Sequence, residues 1–273
     1  MVKNLLCLFT LSVLLFPSIS FGQSADALVR NFDIRSYNPK DAGLRDLAFE
    51  VRYDGLKEYV EEALGRVELV DVYFQVYWLA PGRFEIIVAG LPEGFEEMRS
   101  QLATMVRNRM ELVIPEPLTN RLRGYNLRTQ SIQGGTQVIG QDPTHSKMIN
   151  EIFLNFDNKG RMTRIRTQSP MGANTSELKM SPKSWSDNKW VLDEIEISSI
   201  QGIQRTTVKK EIEYKNVSGF GVPKRVKITT TQKLVRPEGD EGETFEQSDV
   251  SNIVFTNFRV NNGDARKVIM LSN

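Results

Sequence analysis

The chain has 273 residues, with 35 basic and 34 acidic side chains and a net charge of +1. That balance gives no general pull toward nucleic acid or an anionic membrane surface. One cysteine, Cys7, and one histidine, His145, exclude a disulfide framework and a Cys/His zinc site.

Residues 1–22 read as a secretory signal peptide. Lys3 supplies the basic start, Leu5 to Phe16 an almost unbroken apolar run, and Ser20 and Gly22 the small residues at −3 and −1 for cleavage before Gln23. The run falls short of the ~20 residues of a membrane-spanning helix. Cys7 lies inside it rather than at its end, so the leader is not that of a lipoprotein. The expected product is an exported, periplasmic chain of one domain, residues 23–273. It carries no cysteine, and its stability must come from a packed core.

Leu47, Phe49, Val51 and Tyr53 alternate with polar neighbours, the period of a strand with one apolar face. Leu56, Tyr59, Val60, Ala63 and Leu64 follow at helical spacing, closed by Gly65. Val70 to Trp78 is strongly β-prone, and Phe84 to Ala89 returns as its partner through Pro81-Gly82, which suits the centre of a type II turn. Tyr73, Phe74, Tyr77, Trp78 and Phe84 make both faces of this hairpin partly apolar. One face is core; the other is either a lined groove or a second buried face.

Glu93 to Val113 has the clearest helical pattern, with Met98, Leu102, Met105, Val106 and Met110 repeating at three and four. Its methionines suit a shape-tolerant apolar ligand, but a helix that simply covers the sheet is the favoured reading. Pro115 and Pro117 end it. Strands are expected at Tyr125 to Ile132, Thr136 to Gln141, Glu151 to Asp157 and Arg161 to Gln168, the last two joined by a turn in which Gly160 takes a positive φ. A polar loop from Ala173 to Asn188 precedes further strands at Lys189 to Ser199, Thr206 to Lys215, Val222 to Leu234 and Asp249 to Val260. Hairpin-length links between them favour an antiparallel sheet. Glu238 to Glu246 reads as a solvated acidic hairpin loop, without the spacing of a calcium loop.

The residues offer little catalytic chemistry. His145 sits in a polar turn with Asp142 and Ser146, too close in sequence to form a nucleophile–base–orienter system, and reads as a solvent-exposed loop histidine. No carboxylate pair is marked out for acid–base work. The reading is a non-enzyme with no cofactor, no metal and no nucleic-acid partner.

The aromatic strand entering Trp78-Leu79-Ala80-Pro81-Gly82-Arg83-Phe84-Glu85-Ile86, with support from Gly160 to Thr167 and Asn188 to Leu192, resembles the periplasmic carriers of outer-membrane lipoproteins, the LolA-like fold. The resemblance implies an α+β architecture: a curved antiparallel sheet forming an incomplete β-barrel, helices covering its concave side, and an apolar cavity for acyl chains. It implies a monomer whose partner is a lipid or acylated protein, exchanged with a donor or acceptor complex of the inner or outer membrane. Candidate cavity residues are Phe49, Val51, Tyr77, Phe84, Met98, Leu102 and Met105. Carriers often place a basic residue just before the turn proline; this chain has Ala80 there, and Arg83 within the turn is the candidate polar contact. The alternative is a non-enzymatic structural or interaction module of the cell envelope, with the interior filled by side chains.

Overall fold

The computed structural model describes residues 24–234 and 245–271; the leader and most of the acidic loop lie outside them. The chain forms helix α1 (Ala25–Arg35), strand β1 (Asp46–Tyr53), α2 (Leu56–Ala63), β2 (Tyr73–Leu79), β3 (Arg83–Ala89) and α3 (Glu96–Arg107). A 3-10 turn (Met110–Leu112) and α4 (Leu118–Arg121) follow, then nine strands: β4 (Asn126–Ile132), β5 (Gly135–Gln141), β6 (Glu151–Asp157), β7 (Met162–Ser169), β8 (Gly172–Pro182), β9 (Trp190–Gln201), β10 (Gln204–Val217), β11 (Phe220–Leu234) and β12 (Glu246–Val260). Helix α5 (Asp264–Leu271) ends the described chain. None of these helices is long and apolar enough to cross a membrane.

All twelve strands belong to one antiparallel sheet in the order β3-β2-β1-β12-β11-β10-β9-β8-β7-β6-β5-β4, open at β3 and β4. Strands consecutive in sequence are neighbours in the sheet except β3 and β4, and β1 and β12 are neighbours without being consecutive. β12 returns beside β1, with Leu47 opposite Val260. The β3–β4 connection, residues 90–125, joins one edge strand to the other. That connection therefore crosses a face of the sheet, and it carries α3, the 3-10 turn and α4.

Strand periodicity divides the side chains between two unlike faces. On the crossed face lie two apolar clusters. The first joins Leu47, Phe49, Val51, Phe74, Val76 and Trp78 of β1 and β2 to Ile212, Val226, Ile253 and Phe255, under α2, α3 and the 3-10 turn. The second joins Val138, Leu154, Phe156, Met162, Met180 and Trp190 to α1 and α4. Full burial of each such side chain contributes ~1.5–3 kcal/mol. The reverse face of β8 to β11 is a ladder of ion pairs: Lys179–Glu194 at 2.9 Å, Lys209–Glu194 at 3.2 Å and Lys209–Glu211 at 3.3 Å.

The long hairpins, α2 and the Gly160 turn (φ +74°) stand where the sequence puts them. Four readings change. The helix expected over Glu93 to Val113 is shorter: Gly94 has φ +87°, outside helical space, and the regular turns stop at Arg107 before a 3-10 turn. The supposed loop from Ala173 to Asn188 is largely strand β8, whose inward apolar positions are only Leu178 and Met180 while its outward Glu177 and Lys179 pair across the sheet. Pro81-Gly82 is not a type II turn, because Gly82 lacks the positive φ that turn requires; the Ala80–Pro81 bond is cis. Finally, helices occupy both faces. Tyr77 and Leu79, of opposite parity to Trp78, pack with Ala48 against Ala265 and Ile269 of α5.

Candidate functional site

Helix α1 begins at a Ser24 cap, whose hydroxyl accepts the Ala27 N–H at 3.2 Å, and buries Ala25, Leu28, Val29 and Phe32 along one stripe. Its Asp33 carboxylate then reaches sideways. It accepts the N–H groups of Leu118 (2.7 Å) and Thr119 (2.9 Å), two orphan donors at the start of α4, whose own cap residue is Pro117 and has no side-chain acceptor. Beyond α1, Tyr37 N–H donates to Trp190 O on β9 (2.8 Å), and Asn38 Nδ2 donates to Pro115 O (3.0 Å). The α1–β1 link and the crossing connection are thus tied to each other and to the sheet.

Between these two tied segments and strands β7 to β10 lies a pocket of about 470 Å³, within the ~300–1,000 Å³ range of small-molecule sites. Ile165, Leu178, Met180, Leu192, Ile195 and Ile197 line it from the sheet. Phe32, Ile34, Leu112, Val113 and Leu118 line it from the opposing segments. Tyr37, Tyr214 and Gly221 lie at the lining's β10–β11 end. There the Tyr37 ring meets Trp185 edge-on at 4.9 Å, Trp185 meets Tyr214 at 5.6 Å, and Tyr214 Oη donates to Leu192 O at 2.9 Å.

Polar groups enter this lining mainly from the α1–β1 link and the crossing connection, among them the carboxylates Asp33, Asp41, Glu111 and Glu116. Glu111 and Arg121, both well exposed, pair with each other. Ser36 Oγ is buried without a hydrogen-bond partner. Arg109 has a buried Nε, also without a partner, and lies beside the buried Tyr53 hydroxyl, which burial pushes up to about 12 with the guanidinium opposing. Lys210 projects from β10. Burial lowers its pKa, the nearby Arg109 charge lowers it further, and Glu111 works the other way.

The residues singled out from sequence stand elsewhere. Phe49, Val51 and Leu102 are buried in the first cluster, with Phe84, Met98 and Met105 packed half-buried against it. Tyr77 is under α5 on the reverse face, where Arg83 Nη2 donates to Ile269 O at 3.5 Å. None of these eight lines the pocket. His145 is exposed, and the Asp142 carboxylate is engaged by Thr144 and Lys147 instead. Among the described residues no group of three or more His, Cys, Asp or Glu side chains is placed to hold a metal ion. Lys210 had a signal in the sequence: Lys209-Lys210 within a strand forces one lysine of the pair onto the apolar face.

No protein-family model and no curated protein matches the chain. Among solved structures it is similar to a LolA superfamily protein from Nitrosomonas europaea, at 10% sequence identity and a TM-score of 0.28, over 88% of this chain and 95% of that one.

Proposed function

We propose that this protein is a non-enzymatic carrier or binding protein that holds the apolar chain of a lipid or acylated partner in the pocket between β7–β10 and the crossing connection. One observation carries the reading: aliphatic side chains from three adjacent strands, Ile165 of β7, Leu178 of β8 and Leu192, Ile195 and Ile197 of β9, stay only half-buried around a volume of about 470 Å³ beside the buried second cluster. Half-buried aliphatic surface in a concavity gains by burying a chain of its own polarity, at roughly 25 cal/mol per Å² removed from water. In this reading the sheet curves into a half-barrel with the crossing connection over its concave side, and the leader delivers the protein to the periplasm. The resemblance of the Trp78–Ile86 segment to lipoprotein carriers agrees with that assignment, and exchange with a membrane-bound donor or acceptor would follow from it.

The test is titration with a neutral fluorescent apolar probe, N-phenyl-1-naphthylamine, and its displacement by hexadecanol. Saturable binding at one site per chain, competed by the long-chain alcohol and not by ethanol, is the expected result. Fluorescence that rises without saturation, or fails to be competed, supports the envelope interaction module instead.

A further inference from the structure

We infer that the pocket selects amphiphiles with an anionic headgroup, a carboxylate or a phosphate on an apolar chain, and that Lys210 and Arg109 bind that headgroup. This rests on the chain-binding reading above. The pairing register runs Leu178 opposite Ile195, Ile195 opposite Lys210 and Lys210 opposite Ile228, so one lysine interrupts a row of aliphatic residues across β8 to β11. Its neighbour Lys209, on the reverse face, has two ion-pair partners, Glu194 and Glu211. Lys210 has none among the described residues, and its charged neighbours in the pocket are Arg109 and Glu111. Glu111 is already paired with Arg121. Arg109 is likewise without an ion pair among the described residues; its Nε is buried with no acceptor, and the Tyr53 hydroxyl lies beside its guanidinium.

Two cations thus line one pocket without an ion-pair partner among the described residues; of the carboxylates in that lining, Glu111 is paired with Arg121, Asp33 caps α4, and Asp41 and Glu116 make no ion pair with either cation. Buried cationic donors are ordinarily paired, because like charges in a low dielectric repel and an unmade charged hydrogen bond is costly. An anion between them removes both penalties at once. The Arg109 guanidinium presents a planar fork of donors suited to the two oxygens of a carboxylate or phosphate, and Lys210 supplies a point charge. The aliphatic row on either side of Lys210 would hold the attached chain, so neither a free anion nor a neutral chain satisfies both halves of the site.

The experiment compares displacement of the neutral probe by hexadecanoate, hexadecyl phosphate and hexadecanol, with acetate and inorganic phosphate as chainless controls. At least one anionic amphiphile is expected to displace the probe about tenfold more effectively than hexadecanol, as charge-assisted hydrogen bonds imply, and the better headgroup identifies the source. The chainless ions should have no effect. Lys210→Met and Arg109→Gln should each bring the acid-to-alcohol ratio close to one without weakening hexadecanol. Lys210→Met removes a like-charge repulsion and should melt no lower than the parent. The headgroup comparison on the parent protein tests the inference even if a variant fails to fold. Equal displacement by all three long-chain ligands, or displacement by acetate or phosphate alone, overturns the headgroup assignment and leaves the pocket reading standing. Failure of every ligand, hexadecanol included, overturns both.

Discussion

A Cβ placed on Gly221 would fall 1.9 Å from Cζ3 of Trp185. The indole occupies the space a side chain on β11 would need, so glycine is required here by close approach rather than by backbone conformation. The same Gly221 donates its N–H to Tyr37 Oη at 2.8 Å, and both residues line the pocket. Gly221→Ala must displace the Trp185 ring from between Tyr37 and Tyr214. Overpacking of this kind costs ~1–3 kcal/mol, which at this chain length lowers Tm by about 2–4 °C per kcal/mol. Thermal unfolding of the variant measures it; an unchanged Tm would mean that Trp185 can leave its place freely.

The Asp33 carboxylate does for α4 what a cap residue of its own would do. Leu118 is one of its two donors and also lines the pocket, so the contact links the stability of α4 to the shape of the site. Asp33→Ala leaves two backbone N–H groups without their acceptor and should cost ~0.5–2 kcal/mol, as for the loss of an N-cap. Hydrogen exchange locates the effect: protection should fall at Leu118 and Thr119 while the β9–β10 hairpin keeps its own. Uniform loss across the sheet would contradict a local capping role.

Asp142 gives a pH dependence of known sign. Its buried carboxylate accepts N–H groups from Lys147 (2.7 Å) and Thr144 (3.0 Å) and the Thr144 hydroxyl (2.8 Å). The Lys147 N–H is the largest of the causes that hold its pKa down to about 2. The folded state therefore prefers the ionised form. The contribution is complete above the ordinary carboxylate pKa of about 4 and is lost as the pH falls through about 2. Tm compared between the parent and Asp142→Asn should differ at neutral pH, with the difference shrinking between pH ~4 and ~2. A difference that stays constant over that window would assign the effect to shape rather than charge.

Legibility in the sequence follows how locally each element is encoded. β9 and β10 are readable because inward Ile195, Ile197 and Ile212 alternate with outward Glu194, Glu196 and Glu211. β8 is not, since Leu178 and Met180 are its only apolar inward markers and its charged residues find partners only once β7 and β9 are beside it. α1 carries a plain helical stripe, Ala25, Leu28, Val29 and Phe32, but stands directly after the apolar leader, which masks it as a separate element. The pocket was the least readable feature. It depends on the connection from β3 returning over the sheet to β4, and no periodicity in residues 108–121 records which strands they will face. Aromatic density drew attention to β1–β3, where Phe49, Phe74 and Trp78 are buried in the first cluster and Tyr77 lies under α5.

The distinction between a filled and an open part of the same face leads to the sharpest stability–function test. Ile195 projects into the pocket from the centre of β9, between Leu178 and Lys210 on adjacent strands. Replacing it with tryptophan places new apolar volume in open space rather than in packed core, so the overpacking penalty of ~1–3 kcal/mol seen in filled interiors should largely be absent, and the added buried surface is favourable. Phe49→Trp, in the packed first cluster, should pay that penalty in full. Ile195→Trp is therefore expected to keep or raise Tm while abolishing displacement of the neutral probe by hexadecanol, and Phe49→Trp to lower Tm while leaving displacement intact at temperatures where it remains folded. The reverse pattern, with Ile195→Trp unfolding the protein and Phe49→Trp abolishing binding, would put the apolar site at β1–β3, where the aromatic hairpin of the sequence first suggested it.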